Sequence, residues 1–287
     1  MLAYVDGRYV PLDQPAIGVE DRGYQFADGV YEVCALERGR VLDEAAHFVR
    51  LQRSCRELRL RLPVSVRGLG IIVREVLRRN RLEEGKIYIQ LTRGCAPRDH
   101  GARAPRAVLV VTLRPTDGRA RAQSLRKGIA VITLPDNRWA RCDIKSIALL
   151  PNVLARQDAL RQRAEEAWFV GAEGLILEGA ASTAWIVDAK GIVRTHPLSA
   201  KLLPGITRAR LLAYLRAERI AVEERGFTPK EALAAREAFQ TTSTASVIPV
   251  VRLNGQAIRD GKVGALSRAL QNFDRQGNQG NIQEGNF

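Results

Sequence analysis

Two short apolar runs near the start of the chain fold back on themselves: "LAYVDGRYV" turns on Asp6-Gly7 and "YEVCALERGRVL" turns on Arg38-Gly39. Strands joined through so tight a turn must be antiparallel neighbours, which commits the N-terminal third to a sheet. Next, "DEAAHFVRLQRSCREL" sets Phe48, Leu51, Cys55 and Leu58 at helical spacing, and a second helix is predicted near 66–80. The strands "KIYIQLTRG" and "RAVLVVTL" follow. Together these elements predict one α+β domain.

Apolar periodicity then stops. The stretch "PTDGRARAQSLR", residues 115–126, carries Pro and Gly and no core pattern, so it reads as a boundary. The expected organisation is a small N-terminal α/β domain over 1–117, a linker over 118–127 and a larger domain over 128–274. In the larger domain we expect the strand "KGIAVITLP", a helix near 152–166, and the strands "EAWFVGAEGLILEG" and "TAWIVDAKGIVRTH". The helix "TRARLLAYLRAE" comes next, then the short helix "TPKEALAAR", opened by a Thr228/Glu231 capping box with Pro229 at its first position. The strands "EAFQTT" and "IPVVRLNGQAI" and a closing helix near 263–274 complete it. The tail 275–287, "RQGNQGNIQEGNF" with its approach, is Gly, Asn and Gln without a core pattern and is expected to be disordered.

With 287 residues, 46% hydrophobic and 26% charged, the chain has room for one large or two medium cores. No apolar run is long enough to span a bilayer and the start lacks a signal-like n-region or h-region, which predicts a soluble cytoplasmic protein without a membrane partner. Cys34, Cys55, Cys95 and Cys142 are irregularly spaced with no C-x-x-C pair, which speaks against a disulfide framework and against a metal site. The formal charge of +14 raises the possibility of a non-catalytic nucleic-acid-binding protein. Against it, the arginines alternate with Glu and Asp along helical stretches such as "RQDALRQRAEE", where solvated faces and i,i+4 pairs account for them. No nucleic-acid partner is expected. Positive charge does favour small anions.

That charge is almost entirely arginine, with 7 lysines against 38 arginines. Lys145 in "RCDIKSIALLPNV" therefore stands out: arginine cannot release its proton, whereas a lysine beside apolar residues can serve as base or amine nucleophile. Three features downstream could accompany it. In "KLLPGITRARLL", Pro204-Gly205 leads into Thr207 at the start of an amphipathic helix, where free N–H groups and the helix dipole attract an anion. "QTTSTAS", residues 240–246, carries five hydroxyls in seven positions, a turn composition that also suits a phosphate. Glu178 in "LILEGAAST" ends an apolar strand with a carboxylate. A lysine, a phosphate site and an anion for a ring nitrogen are the parts that pyridoxal phosphate chemistry requires.

The ordered motifs "EDRGYQFADGVYEV", "LTRGCAPRDH", "RCDIKSIALLPNVLA", "EG", "LPGITR" and "TTSTAS" resemble those of the fold-type IV pyridoxal phosphate enzymes, and within them the D-amino acid aminotransferases, from about residue 3 to about residue 274. The resemblance implies a two-domain fold with the cofactor, pyridoxal 5'-phosphate, between the domains. It implies that Lys145 holds the cofactor as a Schiff base and shuttles the proton, and that Glu178 pairs with the pyridine nitrogen. Arg50, the backbone at Ile206, Thr207, and the hydroxyls of Thr242 and Ser243 are implied to bind the phosphate, with Leu203 pressed on the ring. Tyr31, Arg98 and His100 match the residues that hold the substrate carboxylate; the last two come from the neighbouring subunit in that family, which implies a homodimer with shared sites. On residue chemistry alone, Arg98 and His100 at i and i+2 of a loop can grip a carboxylate, the guanidinium through two hydrogen bonds and the imidazole through a third. The expected reaction is transfer of an amino group from a D-amino acid, D-alanine first, to 2-oxoglutarate. Alternatives on the same fold are a branched-chain L-amino acid or R-amine transaminase and an aminodeoxychorismate lyase, against which "PRDH" counts. One departure stands out: "EGAASTAW" has alanines at 180 and 181 and Thr183 where the family commonly has asparagine.

Overall fold

The computed structural model describes residues 1–14, 17–102, 104, 106–271 and 273. These divide into two units, the first made of Met1–Thr116 together with Ile144–Leu149, the second of Asp117–Asp143 and the described residues from Leu150 onward.

The first unit opens with strands β1 (Leu2–Val5) and β2 (Arg8–Pro11), turning on Asp6 and Gly7, both at positive φ. A short helix, α1 (Arg22–Phe26), precedes β3 (Gly29–Glu37) and β4 (Arg40–Val41). Here Arg38 and Gly39 sit at φ 50° and 72°, the left-handed pair that lets a two-residue turn follow strand twist. Helices α2 (Glu44–Glu57) and α3 (Val66–Asn80) lead to β5 (Gly85–Thr92) and β6 (Val108–Arg114). The six strands form one antiparallel sheet in the order β2-β1-β6-β5-β3-β4. Alternation decides its faces. Val30, Cys34, Ile87, Ile89 and Leu91 share a core with Phe48 and Leu51 of α2 and Leu69, Val73 and Val76 of α3. Tyr31, Val33, Tyr88 and Gln90, the residues in between, are half-buried.

Glu32 falls on the core face of β3 and is fully buried, which a carboxylate tolerates only when paired. Arg50 of α2 supplies the pair: its Nε donates to Oε1 and its Nη2 to Oε2, both at 2.8 Å, and His47 Nδ1 lies 2.7 Å from Oε2. Burial by itself raises the Glu32 carboxyl, but Arg50 and then His47 outweigh it and bring it down to about 2.

The second unit begins with helix α4 (Gly118–Lys127), where a linker was expected. Asp117 caps it by accepting from the N–H groups of Arg119 and Ala120, and Gly128 ends it. None of its residues is buried, so no apolar stripe marked it in the sequence. Strand β7 (Ile129–Pro135), helix α5 (Leu150–Arg161) and strands β8 (Glu166–Val170), β9 (Ile176–Gly179), β10 (Thr183–Val187) and β11 (Val193–Thr195) follow. Then come α6 (Ile206–Ala217), β12 (Val222–Glu224), α7 (Pro229–Leu233) with its Thr228/Glu231 capping box, β13 (Glu237–Thr242), β14 (Ser246–Leu253), β15 (Gln256–Ala257) and α8 (Ala265–Leu270). Among the described residues these strands make a mixed sheet in the order β12-β11-β10-β13-β14-β7-β8-β9, with β15 on β14. Trp168, Ile186 and Phe227 centre one core, and Trp185, Leu211 and Phe239 another. The tail 275–287 lies outside the described residues. No described helix is long and apolar enough to cross a membrane.

The buried Glu32–Arg50 pair makes the first unit acid-sensitive. The folded carboxyl sits at about 2 against an ordinary 4.5, so its contribution is complete above the ordinary value and is lost as pH falls toward 2. Glu32→Gln leaves Arg50 buried beside a neutral amide and should cost roughly 3–5 kcal/mol in denaturant titrations at neutral pH. The variant's stability should also fall less steeply than the parent's between about pH 5 and 2.

Candidate active site

Of the residues singled out in the sequence, Tyr31, Arg50, Arg98, His100 and Lys145 belong to the first unit and Glu178, Leu203, Ile206, Thr207, Thr242 and Ser243 to the second.

In the first unit, Ile144–Leu149 lies along the N-terminal end of β3. The Tyr31 N–H donates to the Lys145 carbonyl at 3.0 Å, the Ile147 N–H donates to the Gly29 carbonyl at 3.1 Å, and Val30 and Ser146 form an antiparallel bridge. The Lys145 N–H donates to Ser54 Oγ of α2 at 3.3 Å, and the buried Ile144 joins the core. With its backbone held at both faces, Lys145 projects its Nζ over the Tyr31 ring, 4.2 Å from the centroid. An ammonium in that place gains from the ring quadrupole. Tyr31 packs in turn on Tyr88, 5.6 Å between centroids, whose hydroxyl donates to Gln90 Oε1 at 2.6 Å. Burial, then Tyr31, pushes the Tyr88 phenol up to about 12, so it stays a neutral donor.

Arg50, expected as a phosphate ligand, is spent at least in part on Glu32, with two of its nitrogens in the bidentate pair. Arg98 and His100 are exposed on the loop after β5 and flank the Phe26 ring, the guanidinium carbon 4.8 Å and the imidazole centroid 5.1 Å from its centroid. Among the described residues neither side chain makes a hydrogen bond.

In the second unit, Glu178 is the penultimate residue of β9, with its side chain buried. Its Oε2 accepts the Leu203 N–H at 3.1 Å, and its Oε1 accepts a short hydrogen bond from Arg138 Nη1. Arg138 was not singled out in the sequence. It is itself gripped by Asp136, with Nε at 2.8 Å from Oδ1 and Nη2 at 3.0 Å from Oδ2, and lies over the Phe169 ring at 4.4 Å. Burial disfavours the Arg138 charge, yet Asp136 and Glu178 outweigh that and raise its pKa further. Glu178 is thus an oriented carboxylate in a fixed Asp-Arg-Glu chain.

The start of α6 meets the turn between β13 and β14. Gly205 is the N-cap residue and offers no side chain to the first N–H groups, which include those of Ile206 and Thr207. A Cβ at Gly205 would come 3.1 Å from Thr183 Oγ1. The Thr207 hydroxyl donates to the Thr242 carbonyl at 3.2 Å, and Thr242 Oγ1 accepts from the Ala245 N–H at 3.0 Å, which leaves its own proton to donate. Ser243 lies in the same turn, closed by the Thr242–Ser246 pair. Ser246 Oγ is buried with no hydrogen-bond partner among the described residues. The uncapped amides and the hydroxyls of Thr242 and Ser243 form a cradle suited to a phosphate dianion.

The "EGAASTAW" departure has a compensating scaffold. The Gly179 N–H donates to the Ser182 carbonyl at 2.7 Å, the Ala180 N–H to Ala167 at 2.9 Å, and Asn152 Nδ2 to the Ala180 carbonyl at 2.8 Å. Beneath it, Ser182 Oγ reaches Gln240 Oε1 at 3.1 Å and Glu166 Oε2 at 3.3 Å, and burial raises the Glu166 carboxyl. These backbone contacts are independent of the side chains at 180 and 181.

Comparison with known proteins gives one picture. The family model for class IV aminotransferases matches residues 29–253. A D-alanine aminotransferase of Staphylococcus epidermidis is 35% identical over 268 residues, 93% of this chain and 94% of its own length. One from Bacillus licheniformis is 37% identical over 273 residues, 94% of this chain and 95% of its own. Among solved structures, an Escherichia coli branched-chain amino acid aminotransferase superposes with a TM-score of 0.86 at 22% identity, covering 94% of this chain and 92% of that one. A putative 4-amino-4-deoxychorismate lyase from Legionella pneumophila gives 0.83 at 21%, covering 92% and 96%. At such identity the structural likeness establishes the shared fold.

The Arg138 clamp carries a stability test. Arg138→Met strands the Asp136 and Glu178 carboxylates in a buried place and should cost about 3 kcal/mol or more by denaturant titration. Arg138→Lys should recover less than half, because an ammonium cannot span both carboxylates as the planar fork does.

Proposed function

Because this chain belongs to the class IV aminotransferases, we propose that it transfers the amino group of a D-amino acid, D-alanine foremost, to 2-oxoglutarate, yielding pyruvate and D-glutamate, with pyridoxal 5'-phosphate as cofactor. The observation that carries the reading is the 35–37% identity to D-alanine aminotransferases over nearly the whole chain. The residues fit the cofactor. The uncapped α6 amides and the Thr242 hydroxyl, whose own proton is left to donate, suit its phosphate, and the buried carboxylate of Glu178 suits its ring nitrogen.

When bound, pyridoxal phosphate supplies the carbonyl that exchanges amino groups and the ring that takes up the electrons released at the substrate Cα. The protein supplies placement and proton movement. Ile206 and Thr207 at the α6 start, Thr242, Ser243 and Arg50 would hold the phosphate, and Leu203 would pack on the ring. Glu178 holds a proton at the pyridine nitrogen, and its orientation comes from Arg138 and the Leu203 N–H. Lys145 Nζ would be the amine that holds the cofactor and the base that carries the proton at the substrate Cα. The Tyr31 ring under it limits where that nitrogen travels. Tyr31, Arg98 and His100 bind the substrate carboxylate, the last two serving the neighbouring protomer of a homodimer. The four cysteines are free, three of them buried, which accords with a reducing compartment, and we place the protein in the cytoplasm.

Three sets of variants test this. Lys145→Ala should abolish turnover and the pH-sensitive visible absorption of the cofactor-loaded protein while phosphate contacts still retain some cofactor; normal turnover would sink the reading. Glu178→Gln should slow Cα proton transfer far more than it weakens cofactor binding, with Glu178→Asp milder. Arg98→Ala should lower catalytic efficiency on D-alanine between about thirtyfold and several thousandfold, corresponding to roughly 2–5 kcal/mol, and leave the cofactor absorption intact. A parent enzyme that prefers L-alanine over D-alanine would overturn the substrate assignment.

A further inference from the structure

The arm that carries Arg98 and His100 is held by a residue to which no role has been given. Arg22, in α1, is almost wholly buried, which for an arginine requires that its donors be met. They are: Nε donates to Asp28 Oδ2 at 3.0 Å, Nη1 to the Asp99 carbonyl at 2.6 Å, and Nη2 to the His100 carbonyl at 3.1 Å. One planar guanidinium thus grips two successive carbonyls of the arm and ties them to Asp28, the residue before β3, which Arg93 also holds at 2.7 Å. The Arg22 backbone is fixed as well, since its N–H donates to the Gly94 carbonyl at 2.9 Å. Asp21 caps α1 by accepting from the Gly23 N–H at 2.7 Å while Thr92 donates to its other oxygen at 2.7 Å. A side chain at Gly23 would overlap Thr92, so α1 can pack this closely only with glycine there.

Phe26, one turn further along α1, completes the arrangement. Its ring has the Arg22 guanidinium carbon at 4.9 Å, that of Arg98 at 4.8 Å and the His100 ring at 5.1 Å from its centroid. Two guanidiniums about one ring repel each other unless an anion joins them or carboxylates and carbonyls absorb the charge. Arg22 is so absorbed. Arg98 is exposed and its donors are uncommitted among the described residues, which leaves it as the member that takes an incoming anion.

We propose that Arg22, with Phe26, is the positioning residue of the carboxylate-binding arm: it fixes the backbone at Asp99 and His100 so that Arg98 and His100 are set before substrate arrives. The inference rests on the reading of Arg98 and His100 as carboxylate ligands. Arg22 itself touches no substrate; it removes from each binding event the ordering of the arm and of two side chains. Its loss should therefore appear in substrate affinity and not in the chemical step.

The test uses the cofactor-loaded enzyme and the variants Arg22→Met, Phe26→Leu and Arg98→Ala, alone and with Arg22→Met combined with Arg98→Ala. Arg22→Met should raise the KM for D-alanine about tenfold, the size expected for freeing one or two side chains, with kcat within about threefold of the parent. Pyridoxal phosphate titration of the apoenzyme should be unchanged. On the Arg98→Ala background the same substitution should add less than about threefold, because the group it positions is gone. Phe26→Leu, which removes a half-buried ring and no hydrogen bond, should raise KM in the same direction and by less. A merely structural role would instead lower kcat and cofactor affinity together, and that result, or an equal rise in KM with and without Arg98, overturns the proposal. If Arg22→Met does not fold, Phe26→Leu decides, and an unaltered KM there overturns it. A parental KM in Arg98→Ala would fell the carboxylate reading and this inference with it, whereas a raised KM in Arg98→Ala beside a parental KM in Arg22→Met fells the inference alone.

Discussion

The attachment of Ile144–Leu149 to the end of β3 is the constraint on which the site depends. Six residues leave the second unit's chain after Asp143, pair with Gly29 and Tyr31, and return to it at Leu150. Backbone hydrogen bonds on one side and Ser54 on the other leave the Lys145 peptide little freedom, so its long side chain is aimed by its Cα–Cβ bond and by the Tyr31 ring. A lysine on an ordinary loop would sample many rotamers and lose that entropy at every turnover. Here the loss is met on folding.

Two buried carboxylates among the candidate residues and their supports are matched to an arginine rather than a lysine: Glu32 to Arg50, and Glu178 to Arg138. A guanidinium meets two oxygens in one plane and keeps its proton, whereas a buried ammonium can neutralise itself by losing one. The heavy arginine bias of the sequence is consistent with that use. Buried pairs of this kind add little net stability over apolar packing, but removing one partner is costly, so they hold geometry.

The same logic extends to the surface. Arg22 is satisfied by Asp28 and two carbonyls, while Arg98, on the same Phe26 ring, is exposed with no such partners among the described residues. Two arginines about one ring thus have opposite duties, one inside the fold and one facing outward, decided by what surrounds each. Burial, not residue type, separates them.

Local chemistry was legible from the sequence. Asp6-Gly7 and Arg38-Gly39 need left-handed backbone and announced their hairpins, the Thr228/Glu231 box announced α7, and apolar spacing located α2 and α3. The rarity of lysine, the hydroxyl-rich 240–246 stretch and the glycine before α6 pointed to the groups of the candidate site, and the ordered motifs to their family. Helix α4 was missed because it buries nothing, and β12 because three residues carry no period. Glu32 left one faint trace, a carboxylate on the core-facing register of β3, but which cation would meet it depends on how α2 packs. Arg138 and Arg22 left none, since one reaches 40 residues along the chain to Glu178 and the other 77 and 78 to Asp99 and His100. Sequence by itself determined which groups are present and the local backbone each allows; only tertiary structure decided which buried charges face each other, because ion pairing acts through space and leaves no period along the chain.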